Sequence, residues 1–429
     1  MADLLSKYGG KNFQSLPTPS FVIQEDKFNK NCKTMLSSVH DLGVSSGKEI
    51  RFRAHVKTHK TAQGTFKQLG FDLPASKTTS NAILISTIRE AHGLLDYQES
   101  IGKEYIKDIC YSLPACVLPI LEQLSILTRR VEHVRIFVDN VEHLDNLVRF
   151  GKPANRQKWS VFIKVDMGTH RAGLVADSAE FLELLQKTLS PEVTEVVELY
   201  GFYAHAGHSY SSSSMEDAHK YLIDEIKAVN DAVQLLGQHA PSLDLSKLVL
   251  SVGATPTSNS LRMADEPALT SLIKTDLVGS LEIHCGNYCV YDLQQLSTGC
   301  IRDHDISGFV LSTVVSSYQA RNEVLTDTGV MSLTREASRF PGHGLCVKLE
   351  DILYKEPFSH HWYVARVSQE HGILKPYGDS SSNTKDVKIG SKMAVLPQHA
   401  CIVMAQFPYY FVVDSQGIVT DLWTPYQKW

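Results

Sequence analysis

No stretch of the chain approaches the ~20 consecutive apolar residues that a membrane-spanning helix needs, so no membrane partner is expected. The first twelve residues lack the apolar core of a secretory signal, and the early acidic residues Asp3, Glu25 and Asp26 disfavour a transit peptide. The expectation is a soluble, cytoplasmic protein. No Cys-x-x-Cys pair occurs: the eight cysteines are scattered at 32, 110, 116, 285, 289, 300, 346 and 401. In a large chain without a signal, reduced thiols are the ordinary reading. A basic excess is also missing, with 42 Lys and Arg against 47 Asp and Glu and a formal net charge of -5. That balance argues against nucleic acid as the main partner, though not against a local basic pocket for a small phosphate. Neither GxxxxGK[ST] nor GxGxxG appears, so nucleotide-binding folds gain no support.

What is present is an ordinary globular balance, 43% apolar and 21% charged over 429 residues, long enough to bury a substantial core. Short β-rich runs at 50–56, 82–86, 108–112, 134–138, 160–165, 201–205, 247–252 and 280–284 alternate with amphipathic stretches such as 178–189 and 215–236. Eight strand-then-helix units over ~240 residues match a (β/α)8 barrel; a doubly wound sheet would alternate in the same way, and the count of eight favours the barrel. After residue 300 strand-like runs dominate, at 307–317, 330–333, 344–349, 362–369, 392–396, 400–405 and 409–413, with a turn signal at Asp414-Ser-Gln-Gly417. The fold class read from this is α/β: a barrel over 25–295, and a second, mostly antiparallel β domain formed by 1–24 together with 296–429. The polar segment 380–386 reads as an exposed loop.

Four clusters carry chemistry. In Arg51-Phe-Arg-Ala-His-Val-Lys-Thr-His-Lys60, alternation along a strand puts Arg53, His55 and Lys57 on one face. Lys57 then falls at the C-terminal end of the first barrel strand, where barrel active sites lie. A desolvated lysine near other cations has a lowered pKa suited to Schiff-base chemistry; the alternative is an exposed basic patch. Ser251-Val-Gly-Ala-Thr-Pro-Thr-Ser258 supplies small residues after a late strand, where main-chain N–H groups can converge on a phosphate, although many strand ends carry such turns. Tyr203-Ala-His-Ala-Gly-His-Ser-Tyr210 could bracket a planar cofactor, or be a polar loop with one core tyrosine. In His399-Ala-Cys401, an extended backbone would aim both donors at one point. Imidazole plus thiolate suits Zn2+, but two ligands are fewer than the three of typical catalytic zinc sites. A buried free cysteine beside an ordinary histidine is the alternative.

Taken together, these clusters resemble the eukaryotic, yeast-type D-serine dehydratases. Those are fold-type III pyridoxal 5'-phosphate (PLP) enzymes related to D-threonine aldolases and, more distantly, alanine racemases. The resemblance runs from Leu16-Pro-Thr-Pro-Ser-Phe-Val-Ile23 through Arg53-Ala-His-Val-Lys-Thr-His59, Asp166-Met-Gly-Thr-His-Arg-Ala-Gly173, the segment 201–210, Gly253-Ala-Thr-Pro-Thr257 and Glu282-Ile-His-Cys-Gly-Asn-Tyr288 to His399-Ala-Cys401. It implies a homodimer whose active site lies between domains, with Lys57 as the PLP lysine and Gly253, Ala254 and Thr255 as the phosphate loop. Tyr203 and Tyr210 lie in the segment facing the cofactor. Arg171 occupies the position where racemases place an arginine near the ring's phenolic oxygen, and His399 and Cys401 form the zinc pair. D-threonine aldolases carry aspartate at the second metal position, so Cys401 favours dehydration.

The implied activity is elimination from a small D-amino acid, D-serine, to pyruvate and ammonia. In it Lys57 removes the α-proton and zinc assists loss of the β-hydroxyl. A D-threonine aldolase-like enzyme, a racemase and a non-catalytic PLP-binding protein are the alternatives. The single-barrel carrier proteins lack a C-terminal β domain, which weighs against the last.

Overall fold

A computed structural model of the chain describes residues 2–73, 78–263, 267–354, 357–378 and 381–429. It divides into two compact units. One comprises Lys33–Lys57, Gly64–Gly286 and Tyr426–Trp429; the other comprises Met1–Cys32, Thr58–Gln63 and Asn287–Pro425. Strand β1 (Ser20–Gln24) belongs to the second unit.

The first unit is a closed parallel barrel. Its strands are β2 (Arg51–His55), β3 (Ala82–Ile85), β4 (Asp108–Tyr111), β5 (His133–Val138), β6 (Trp159–Lys164), β7 (Val197–Tyr203), β8 (Val249–Val252) and β9 (Ser280–Cys285). Closure is made where β2 pairs in parallel with β9, Arg53 opposite His284. These runs are short, rich in β-branched and aromatic residues and buried over most of their length, as expected of parallel strands covered on both sides. Leu84, Cys110, Phe137, Phe162, Tyr203 and Val249, one from each of β3 to β8, form a continuous apolar cluster, in keeping with a barrel interior filled by side chains.

A charged network is buried in the same barrel. Arg53 is fully buried and donates through Nε to Glu282 Oε1 at 2.8 Å and through Nη1 to Asp108 Oδ1 at 2.7 Å. Arg135 donates to Asp108 Oδ2 at 2.7 Å. Burial alone would raise the Asp108 carboxyl, but Arg53 and Arg135 hold it below its ordinary value. Such a network is weak evidence for net stability, yet removing one member leaves an uncompensated buried charge. The face shared by Arg53, His55 and Lys57 is thereby corrected. The strand ends at His55 and the next four residues turn, so alternation does not extend to Lys57.

The second unit is a nine-stranded sheet in the order β11-β14-β13-β12-β15-β10-β1-β16-β17. The further strands are β10 (Gly308–Tyr318), β11 (Glu323–Thr326), β12 (Gly344–Lys348), β13 (His360–Val367), β14 (Gly372–Pro376), β15 (Lys392–Pro397), β16 (Tyr410–Val413) and β17 (Val419–Trp423). All neighbours pair antiparallel except β1 and β16. Three expectations change. Residues 330–333 form a turn rather than a strand, and Ala400–Met404 is a short helix. Of the segment 380–386, Ser380 lies outside the described residues, while Thr384–Asp386 forms a single 3-10 turn capped by the Asn383 side chain. The turn at Asp414–Gly417 closes as expected, Gly417 N–H donating to Asp414 O at 3.0 Å with φ at 75°.

No helix among the described residues is long and apolar enough to cross a membrane. All eight cysteines are free thiols, seven of them buried and Cys401 half-buried.

Candidate active site

Four barrel strands bring five residues to the same rim. Lys57 follows β2, Lys164 closes β6, Arg171 lies in the loop after β6, Tyr203 closes β7 and Gly253 follows β8. One of these side chains, Tyr203, is fixed by packing. Tyr203 stacks on His284 of β9 with ring centroids 4.1 Å apart and planes 12° from parallel, and the Phe137 ring lies tilted against it at 4.4 Å. Burial keeps the Tyr203 phenol protonated.

The histidines have defined tautomers. His205 Nδ1 lies 2.7 Å from the Gly253 carbonyl oxygen, which can only accept, so Nδ1 carries the proton. Burial, then Arg171 and Lys57, push the His205 imidazole down to about 3, and it is neutral. Ser251 Oγ donates to Glu282 Oε1 at 2.7 Å and therefore accepts from His284 Nδ1 at 3.1 Å. The bare Nε2 of His284, itself buried, has no partner among the described residues. His208 is separate: its Nδ1 is 3.2 Å from Thr169 Oγ1, and its ring meets Tyr221 edge-on at 4.8 Å.

Positive charge collects here. Lys57, Lys164 and Arg171 all act electrostatically on His205, and none of the three forms an ion pair among the described residues. Lys164 is buried, with Nζ 5.0 Å from the Phe137 ring and 5.5 Å from the Tyr203 ring. Burial, then Arg171, pull its amine down to about 8. Arg171 itself is exposed.

The loop after β8 is built for close approach. Gly253 has φ at 150°, and a Cβ there would lie 1.9 Å from His284 O, so only glycine fits. Its N–H donates to Glu225, and the Ala254 N–H donates to Thr257 Oγ1 at 2.9 Å. Ala254 and Thr255 are buried at the start of the five-residue helix Thr255–Asn259. Tyr210 is half-buried in the 3-10 turn Gly207–Ser211 rather than on β7. Unneutralised cations, an orphaned ring nitrogen and a small-residue loop suit a flat anionic group such as PLP.

The second unit holds the His399–Cys401 segment. His399 is the residue before the helix Ala400–Met404, so the extended backbone expected through Cys401 is not what forms. An apolar run this short is ambiguous between strand and helix. The fully buried Asp292 carboxylate decides it by accepting the Ala400 N–H at 2.8 Å. Asp292 also holds the Gln295 N–H at 2.9 Å and the Asn287 amide at 2.6 Å. His399 Nδ1 donates to Gln294 Oε1, so Nε2 is the ring nitrogen that could serve as a metal ligand. Cys401 Sγ lies 3.1 Å from Thr58 Oγ1, and the Asn287 amide donates to it at 3.7 Å. Among the described residues no set of three or more His, Cys, Asp or Glu side chains is placed to hold a metal. The pair therefore fits an ion only with water or substrate completing its shell.

Sequence reasoning missed Lys164 and assigned no role to His284. Both are polar residues inside otherwise apolar strands, Trp159–Lys164 and Ser280–Cys285, and that contrast was the available signal.

A parallel barrel with a cationic rim, accompanied by a separate antiparallel sheet, defines an alanine racemase-like enzyme class. The comparisons agree. The family described as alanine racemase, N-terminal domain, matches residues 48–265, and a serine dehydratase domain matches 307–413. The chain is 60% identical over 429 residues to the D-serine dehydratase of Saccharomyces cerevisiae, covering 100% of both. It is 40% identical to that of Schizosaccharomyces pombe, covering 100% of this chain and 95% of the relative. A solved structure of a cysteine-to-alanine variant of D-threo-3-hydroxyaspartate dehydratase in the metal-free form superposes with a TM-score of 0.78 at 25% identity, over 98% of this chain and 100% of that one. The chain belongs to the D-serine dehydratase family, and it is a lyase.

Proposed function

We propose that this lyase eliminates water from D-serine in a PLP- and zinc-dependent reaction, releasing an enamine that hydrolyses to pyruvate and ammonia. The observation that carries the reading is the set of three unpaired cations, Lys57, Lys164 and Arg171, around the neutral His205 beside the Gly253 loop. They form an anion-seeking rim in a chain 60% identical to a D-serine dehydratase over its whole length.

Lys57 would anchor the cofactor through its amine. Gly253, Ala254 and Thr255 would hold the phosphate, Arg171 would serve the ring's phenolic oxygen, and Tyr203 and Tyr210 would belong to the segment beside the cofactor. When bound, PLP withdraws electrons from the substrate α-carbon. In that state the Lys57 amine would be the base that takes the α-proton at Nζ. His205 and His284, both neutral, offer Nε2 lone pairs as hydrogen-bond acceptors without adding charge.

His399 through Nε2 and Cys401 through Sγ would hold zinc, whose contribution is to stabilise charge on a departing β-oxygen. The structural relative crystallised as a metal-free cysteine variant supports a metal in this family. The proposal includes a cytoplasmic homodimer acting on small D-amino acids.

Chelation tests the metal. With zinc removal verified by elemental analysis, D-serine turnover is expected to fall at least tenfold and to return on adding zinc. Undiminished turnover of the metal-stripped protein would remove His399 and Cys401 from the mechanism. Glycine as the main product from D-threonine would favour an aldolase instead.

A further inference from the structure

The helix Met215–His239 buries the stripe Ala218, Leu222, Ile226, Val229, Val233 and Leu236, the spacing of one apolar helix face. Glu225 falls within that stripe and is completely buried. A carboxylate at such a position is costly unless it is hydrogen-bonded, and no cation pairs with it among the described residues. Its partners are two main-chain donors and the Thr257 side chain. Oε1 accepts the Ala206 N–H at 2.6 Å and the Gly253 N–H at 3.3 Å. Ala206 directly follows His205, and Gly253 opens the small-residue loop after β8.

We propose that Glu225 is a positioning residue that sets the phosphate loop, its single oxygen tying the Gly253 main chain to the segment carrying His205. This rests on the reading that the loop takes the PLP phosphate.

Three observations support it. The His205 ring also links these two segments, donating to Gly253 O, so the residue Gly253 is held at both its N–H and its carbonyl. Gly253 adopts a backbone conformation that only glycine tolerates beside His284, so the loop has a single well-defined seat. Burial, opposed by the hydrogen bonds from Ala206, Thr257 and Gly253, pushes the Glu225 carboxyl up to about 7. A group that is readily protonated supplies the acceptor oxygen without committing a full negative charge behind an anion site. An apolar residue would fill the stripe equally well but leave two buried N–H groups unpaired.

The test compares PLP with pyridoxal, which lacks the phosphate, binding to the cofactor-stripped full chain by absorbance titration. Glu225→Leu keeps the apolar stripe and removes the acceptor. Glu225→Gln keeps an acceptor oxygen. Circular dichroism and the melting temperature check folding. The wild type is expected to prefer PLP over pyridoxal. Glu225→Leu is expected to lower that preference at least tenfold while leaving pyridoxal affinity within about threefold, and Glu225→Gln to retain most of the preference. A folded Glu225→Leu protein that loses PLP and pyridoxal affinity equally, or loses neither, would overturn the proposal. If Glu225→Leu does not fold, Glu225→Gln alone decides: a preference reduced tenfold despite the retained acceptor oxygen overturns it, and a preference within threefold of wild type supports it. A wild-type protein that does not distinguish PLP from pyridoxal contradicts the underlying phosphate assignment, a result separable from any effect at Glu225.

Discussion

At the scale of single residues, burial shifts ionisable groups around the barrel rim toward their neutral forms. Glu225 is raised to about 7 and His205 is lowered to about 3, each chiefly by burial, and the two have opposite consequences for stability. The folded protein binds the Glu225 proton more tightly than the unfolded chain does. Its contribution is therefore complete below the unfolded carboxyl pKa near 4.5 and is lost as pH rises through about 7. Over that window the loss is about 3 kcal/mol. His205 resists protonation when folded, so its contribution is lost as pH falls below the ordinary histidine value of 6.5 toward about 3. Glu225→Gln is expected to flatten the decline in urea midpoint between about pH 5 and pH 7.5, leaving the acid side unchanged. A variant whose profile superposes on wild type over that range would show that the carboxyl does not titrate there.

Residue chemistry was the less legible part of the sequence. Lys57 stood out because basic residues cluster around it. Lys164 did not, since a lone lysine at the end of Trp-Ser-Val-Phe-Ile-Lys164 reads as a solvated strand end until the barrel closes over it. Arg53 shared a motif with Lys57, yet its partners Asp108 and Glu282 are 55 and 229 residues away. Pairings at that separation follow from barrel closure and leave no local trace.

At the scale of elements, the eight parallel strands were legible because each is a short apolar run followed by a helical stretch, which repeats the same signal eight times. The β unit was less so. Residues 330–333 and 400–405 have strand-like composition, but their conformation is decided by partners elsewhere, for the second the buried Asp292 carboxylate. Strands β11, β14 and β17, only four or five residues long, gave no distinct signal. The element whose geometry is most constrained is the loop after β8. Gly253→Ala must place a methyl 1.9 Å from His284 O at φ 150°. It is expected to cost at least ~3 kcal/mol, the range of strained backbone plus overpacking, and to weaken PLP binding more than pyridoxal binding. A Gly253→Ala protein with unchanged melting temperature and PLP affinity would mean that the loop moves freely off β9.

For the molecule as a whole, the chemistry is divided between two units. The barrel carries the cationic rim and the glycine loop. The sheet unit carries His399 and Cys401, each oriented by its own surroundings, Gln294 for the imidazole and Thr58 with Asn287 for the sulfur. On the proposed reading, proton removal at the α-carbon would need only the first set, and the second would assist loss of a hydroxyl, a poor leaving group at neutral pH. The central claim is that this chain eliminates water from D-serine using Lys57. The most direct test is a product assay on the PLP-loaded protein, with Lys57→Ala as its control. The account predicts pyruvate and ammonia in equal amounts from D-serine, little or none from L-serine, and a fall of at least a thousandfold in Lys57→Ala together with loss of the visible absorbance of the bound cofactor. L-serine as the sole product from D-serine, or a Lys57→Ala protein that keeps both the absorbance and the turnover, would contradict it.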